Sequence, residues 1–138
     1  MDAEFRPPPG FERHDRTSPF LDLIGPLWSR RGEAGLELAL CIDERHVNGR
    51  GLAHGGVLAA LADVALGYAA SSAEEPPARL TTASLAIDYV GAVRPGQTVI
   101  ATVDVQRVGR RLAFANCYLH CGEQRVVRAS AVFSVTPA

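Results

Sequence analysis

Hydrophobic positions along the chain fall into runs whose period changes from two to about 3.6 and back. From Glu33 to Asp43 the text EAGLELALCID alternates, with Leu36, Leu38, Leu40 and Ile42 on one face, which predicts a strand. Four later runs read the same way, at 80–90 (LTTASLAIDYV), 97–108 (QTVIATVDVQRV), 111–121 (RLAFANCYLHC) and 124–135 (QRVVRASAVFSV). Their separators, Arg94-Pro95-Gly96, Gly109-Arg110 and Gly122-Glu123, are short and of turn composition. Consecutive strands are therefore expected to be antiparallel neighbours. Between the first strand and the other four, Gly55 to Ala70 is apolar nearly all round, which predicts a long helix covered on most sides. Arg45 to Ala53, containing Asn48-Gly49, reads as a loop, and Glu74 to Ala78, with Pro76-Pro77, as a break.

Upstream, Ser18 as N-cap with Pro19 at the first helical position predicts a short helix carrying Phe20, Leu21, Leu23, Ile24, Leu27 and Trp28, with Gly25 and Pro26 placed to break it early. Residues 1–16, with Pro7, Pro8 and Pro9, read as an irregular leader, and 17–138 as a single domain. The order is helix, strand, apolar helix, four strands. An α+β arrangement, an antiparallel sheet of about five strands curved around one central helix, is the simplest that buries that helix.

Composition adds exclusions. With 138 residues, 47% of them hydrophobic, the chain has material for one core without disulfides or structural metal. Its net charge of −1 comes from 14 basic and 15 acidic residues with no long run of either sign, which argues against nucleic acid as partner. All basic residues are Arg; without Lys, Schiff-base and Walker-type phosphate chemistry are excluded. Cys41, Cys117 and Cys121 form no paired framework and are expected to be reduced, buried apolar side chains. His14, His46, His54 and His120 are scattered rather than set at ligand spacing, so no metal site is expected. The start of the chain lacks an apolar stretch after basic residues, so the expected address is the cytoplasm. Residues 51–73 are long enough to span a membrane, but Asp63 near the middle would cost about 2.5–3.5 kcal/mol there, so a buried helix is expected instead.

Candidate chemistry concentrates in Asn48 to Asp63, NGRGLAHGGVLAALAD. Asp63 sits between Leu61-Ala62 and Val64-Ala65 and is expected to be largely removed from water. A carboxylate so placed is paired, hydrogen-bonded or functional; a bond to a Ser or Thr of the facing sheet and a catalytic role are both open. His54-Gly55-Gly56 opens the same helix, where the first N–H groups have no intrahelical partner and can polarise a carbonyl or hold an anion. Equally, the glycines allow a tight helix entry with His54 as N-cap. Gly55 and Asp63 are eight residues apart, about 12 Å along a helix. One substrate carbonyl cannot touch both, so joint action requires two copies of the chain, a symmetric dimer with Gly55 from one protomer and Asp63 from the other.

The texts NGRGLAHGGVLAALADVALGYAA, LTTASLAIDYVGAVRPGQ and VGRRLAFANCYL resemble the hotdog-fold acyl-CoA thioesterases, in particular the PaaI-like branch of phenylacetic acid degradation, over about residues 35–135. The resemblance implies a sheet wrapped around a helix, a dimer joined edge to edge and often paired into a homotetramer, and hydrolysis of CoA thioesters, of aryl or medium-chain acyl groups, without metal or cofactor. By that match Asp63 activates water or attacks the thioester, Gly55 supplies the oxyanion amide, Asn48 and His54 orient the thioester and the loop, and Thr82 helps hold the water. Gly56 joins the substrate contacts at the helix start. CoA phosphates in a chain without Lys must be met by Arg or backbone amides, and Arg94, Arg110 and Arg111, at turns, are the candidates. Tyr68 and Leu61 are candidates to shape the acyl pocket. A non-catalytic acyl-CoA-binding protein on the same fold is the alternative. A hydratase would require a differently spaced Asp/His pair, and a purely structural oligomer would leave Asp63 without a role.

Overall fold

The computed structural model describes residues 7–136. In chain order it contains β1 (Glu12–Arg13), α1 (Pro19–Ile24), β2 (Leu27–Gly32), β3 (Gly35–Cys41), a 3-10 turn (Glu44–His46), α2 (Gly55–Ser72), β4 (Arg79–Tyr89), β5 (Thr98–Val108), β6 (Leu112–Cys121) and β7 (Gln124–Thr136). Among the described residues the strands form one antiparallel sheet in the order β1-β2-β3-β5-β6-β7-β4, curved around α2. This is the hotdog arrangement, with seven strands where about five were expected.

The two additional strands come from the N-terminal region. Helix α1 starts as expected, with the Ser18 hydroxyl accepting from Leu21 N–H at 3.2 Å, but ends at Ile24. A Cβ on Gly25 would lie 2.7 Å from the Leu21 carbonyl oxygen, so only glycine fits at the turn, and Pro26 has no N–H to continue the helix. Leu27 and Trp28 therefore leave the helix and pair as β2 with Leu40 and Ala39 of β3. The expected leader is not irregular throughout. Glu12–Arg13 pairs with Trp28 and Ser29, and Phe11 packs with Trp28 and Ala39 on the sheet face opposite α2. Residues 1–6 of that leader lie outside the described residues.

Helix α2 buries Leu58, Leu61, Ala62, Ala65, Leu66, Ala69 and Ala70, the i, i+3, i+4 stripe that meets the concave face. There it contacts Leu38 and Leu40 of β3 and the inward residues of β5–β7, Val99, Ala101, Cys117, Leu119 and Phe133 among them. Each buried Leu of this stripe contributes about 2 kcal/mol of apolar burial. The opposite face, Ala59, Ala60, Asp63, Val64, Gly67 and Tyr68, is only half-buried, so the helix is covered on one side rather than on most.

Short turns make neighbours of β5, β6 and β7 as expected, but not of β4 and β5. Strand β4 pairs with β7 at the far edge, and β5 pairs with β3. The 90–97 segment crosses beneath the start of α2. Val93 is fully buried there, its carbonyl accepting from Ala53 N–H at 2.8 Å. The Arg-Pro-Gly turn then closes on the end of β3, with Gly96 N–H on the Ile42 carbonyl at 2.8 Å.

Between β3 and the following loop, three side chains tie α1 down. Arg45 donates to the carbonyls of Leu23 (2.8 Å) and Gly25 (2.6 Å) while bonding Asp43. Buried His46 accepts from Asp43 N–H at its Nδ1 (2.9 Å) and so presents Nε2–H to the Ile24 carbonyl at 2.6 Å. Burial raises the Asp43 pKa, but the hydrogen bonds from the Arg45 side chain and backbone, with the Arg45 charge, outweigh it and hold the carboxyl below its ordinary range. A group with a folded-state pKa below its unfolded value contributes stability above the unfolded pKa and loses it as pH falls through the folded one. Asp43→Asn is therefore expected to lower stability at neutral pH and to flatten its decline below about pH 4, measured by urea unfolding across a pH series. All three cysteines are thiols, with Cys117 buried and pushed up to about 12 by desolvation. Cys41 and Cys121 are half-buried rather than buried, since each sits at a strand end.

Candidate active site

Residues 46–54 form a closed loop that delivers the chain to α2. Val47 bridges Ala53, and His54 N–H bonds the His46 carbonyl at 2.7 Å. Inside the loop Asn48 Oδ1 accepts from the N–H groups of Arg50 (2.9 Å) and Leu52 (3.2 Å), and Gly51 takes a φ of +77° to close the turn. Asn48 thus holds the loop. At the helix start the His54 ring caps its own helix, Nδ1 accepting from Gly56 N–H at 2.8 Å, while the His54 carbonyl takes the N–H groups of Val57 and Leu58. The Gly56 amide is therefore engaged within the cap. The Gly55 N–H has no acceptor among the described residues and sits at the positive end of the helix.

Tyr89, at the end of β4, closes over this point. Its hydroxyl donates to the Gly55 carbonyl at 2.6 Å, and a Cβ on Gly55 would lie 3.2 Å from its ring. Nothing in the sequence marked Tyr89; it is the last residue of an alternating strand, and only the curl of β4 against the helix start reveals it.

Two turns further along α2, Thr82 of β4 donates to Asp63 Oδ1 at 2.8 Å. A bulge between Thr82 and Ser84, opposite Phe133 and Val132, turns the strand at that position. Asp63 is half-buried rather than largely removed from water. Leu61 and Asp63 differ by about 200° around the helix, so Leu61 points into the sheet and Asp63 away from it. The carboxylate faces a groove of about 550 Å³ lined by Val64, Gly67, Tyr68, Leu80, Thr82 and Phe133, among others.

The sequence profile of the thioesterase superfamily matches residues 50–128, which hold both Gly55 and Asp63. The chain belongs to the thioesterase superfamily. A Pseudomonas aeruginosa protein named "Putative esterase" is 46% identical over 127 residues, covering 91% of this chain and 95% of that one. Among solved structures, a conserved protein of the same organism is 28% identical with a TM-score of 0.79, covering 87% of this chain and 95% of that one. The Escherichia coli PaaI protein of the phenylacetic acid degradation operon is 21% identical with a TM-score of 0.69, covering 75% and 73%, a likeness of fold.

Within this thioesterase-superfamily chain the expected site residues divide into two groups. Asn48, His54, Gly55 and Gly56 gather at the helix start, and Arg94 lies on the crossing segment at the same end, in a turn closed by Gln97. Asp63 and Thr82 meet in the middle of the helix. Arg110 and Arg111 form the β5–β6 turn beside the opposite end of the sheet, where the Arg111 carbonyl takes the Val135 N–H at 2.8 Å and Val135 pairs with Leu80. One chain therefore does not gather the three arginines. Of the two pocket-shaping candidates, Tyr68 lines the groove, whereas Leu61 is fully buried against the sheet and does not.

Proposed function

We propose that the protein hydrolyses acyl-CoA thioesters, of aryl or medium-chain acids, to the free acid and CoA. The observation that carries this reading is the Asp63 carboxylate, held by Thr82 at one end of a groove with apolar walls on the outward face of α2. Asp63 takes a proton from water as the water oxygen attacks the thioester carbonyl carbon. The carbonyl oxygen becomes an oxyanion, which the Gly55 N–H of a second protomer receives; the C–S bond then breaks and the thiolate of CoA takes the proton back. The requirement for a second protomer follows from the unbroken helix between Gly55 and Asp63, which holds them about 12 Å apart in each chain.

Strand β4 supports the same assembly. It is 11 residues long, contains no Pro, and among the described residues pairs only with β7, leaving an open edge of the kind that proteins cover or pair. A second copy laid antiparallel along that edge turns the half-buried face of α2 toward its symmetry mate. In the resulting dimer, and in any pair of such dimers, Arg94 of one protomer and Arg110 and Arg111 of the other are our candidates for the CoA phosphates.

The deciding experiment is release of CoA thiol from benzoyl-, phenylacetyl-, hexanoyl- and octanoyl-CoA. Turnover of any of them supports hydrolysis and ranks the acyl groups. Tight binding with no cleavage would replace the enzyme with a non-catalytic acyl-CoA-binding protein. Thr82→Val removes one hydrogen bond to a charged group and is expected to lower kcat about tenfold with a smaller change in KM, read from initial rates on the preferred substrate.

A further inference from the structure

Positions 63, 67 and 71 of α2 lie one turn apart on one face, and β4 runs beside them in the opposite direction. Thr82 bonds Asp63, and Ala78 N–H bonds the Ser71 carbonyl at 3.1 Å. The groove therefore has an axis of about 12 Å from Asp63 to Ser71. Its middle is apolar, walled by Val64, Leu80 and Phe133. A Cβ on Gly67 would lie 3.8 Å from the Phe133 ring, so the missing side chain there is part of the open space.

The far end is cationic. Arg16, Tyr68, Ser71 and Pro77 line this groove and also a second cavity of about 440 Å³, so they form the partition between the two. The Arg16 guanidinium stacks 5.7 Å from the centre of the Tyr68 ring. Two residues before it, His14 is fixed by Ser29 (3.0 Å) and by ring contact with Tyr68 (4.8 Å between centres). Arg30, Arg45 and Arg128 each hold a carboxylate. Arg16 holds none among the described residues, and nor does Arg79, which also borders the groove but alternates along β4 with the groove-lining Leu80.

Resting on the thioesterase reading above, we infer that this groove selects acyl groups ending in a carboxylate, and that Arg16 is the residue that recognises that terminus. Arg16 is exposed beside the groove, and a terminal carboxylate that reaches it gains a charge-assisted contact that a terminal methyl group cannot make.

The test compares suberyl-CoA with octanoyl-CoA, which share a chain length and differ in the terminal carboxylate, as kcat/KM ratios in wild type and in Arg16→Gln. Wild type is expected to favour suberyl-CoA by about two- to fivefold, the scale of one ion pair at an exposed guanidinium. In Arg16→Gln the ratio is expected to fall to near one, through KM, and in Arg16→Lys to recover in part. Turnover of octanoyl-CoA without a preference for suberyl-CoA, or a preference that survives Arg16→Gln, overturns the inference and leaves the thioesterase reading standing. Cleavage of neither, beside turnover of benzoyl- or phenylacetyl-CoA, overturns the inference alone, and turnover of no acyl-CoA overturns both.

Discussion

Replacing Asp63 by asparagine is expected to lower turnover of an acyl-CoA by about 10²- to 10⁴-fold, the range for loss of a general base. The substitution is nearly isosteric and keeps an amide oxygen to accept the Thr82 hydroxyl bond, now 2.8 Å long. Asp and Asn have similar helix propensities, and position 63 lies on the half-buried face, away from the packed stripe. Folding stability should therefore hardly change, and KM should stay near the wild-type value because the groove walls remain. What the amide cannot do is take a proton from water. Thiol release and thermal unfolding measured on the same preparations separate the outcomes. Full activity would remove Asp63 from the chemistry, and inactivity accompanied by a collapsed melting transition would reduce it to a structural residue.

The elements that were legible in the sequence are those with long, regular patterns. Strands β3, β5, β6 and β7 alternate over 7 to 13 residues, and α2 carries 18 residues of uninterrupted helix-compatible text. Strand β2 was hidden because its two apolar residues follow a well-capped helix and its Ser29-Arg30-Arg31 stretch carries no alternation. Two-residue β1 offers no period at all. The placement of β4 beyond β7 depends on the 90–97 crossing, whose path is fixed by Val93 burying itself beneath α2, a tertiary event with no local signature.

The site shows the same division. Spacing alone gave the distance between Gly55 and Asp63, since a helix converts residue count into length. It could not show that Asp63 faces outward, because every neighbour from Ala59 to Leu66 is apolar in the text whichever way it turns. Nor could it bring the Tyr89 hydroxyl to the Gly55 carbonyl or Arg16 to the Tyr68 ring, contacts between residues 34 and 52 positions apart. These non-local contacts place a tyrosine over the start of α2 and a cation beside the far end of the groove.

Gly55→Pro is expected to cost about 10²- to 10³-fold in kcat, the effect of removing one oxyanion donor. Proline is tolerated at the first position of a helix, where its missing N–H would not have been used within the helix. His54 already has φ −63° and ψ 134°, the extended conformation that a following proline requires. The ring of Tyr89 must give by a few tenths of an ångström, since a Cβ at position 55 lies 3.2 Å from it. Helix α2 should thus survive while its free donor disappears. If each site combines Gly55 of one protomer with Asp63 of the other, a heterodimer of Gly55→Pro and Asp63→Asn chains has one site with both defects and one with neither. Co-expression of the two inactive variants should then restore about a quarter of wild-type activity under random pairing into symmetric dimers. A single-chain site would gain nothing from mixing, because every chain would carry its own lesion. Restored turnover in the mixture, together with none in either variant alone, is therefore a direct measure of whether the two halves of the site come from different molecules.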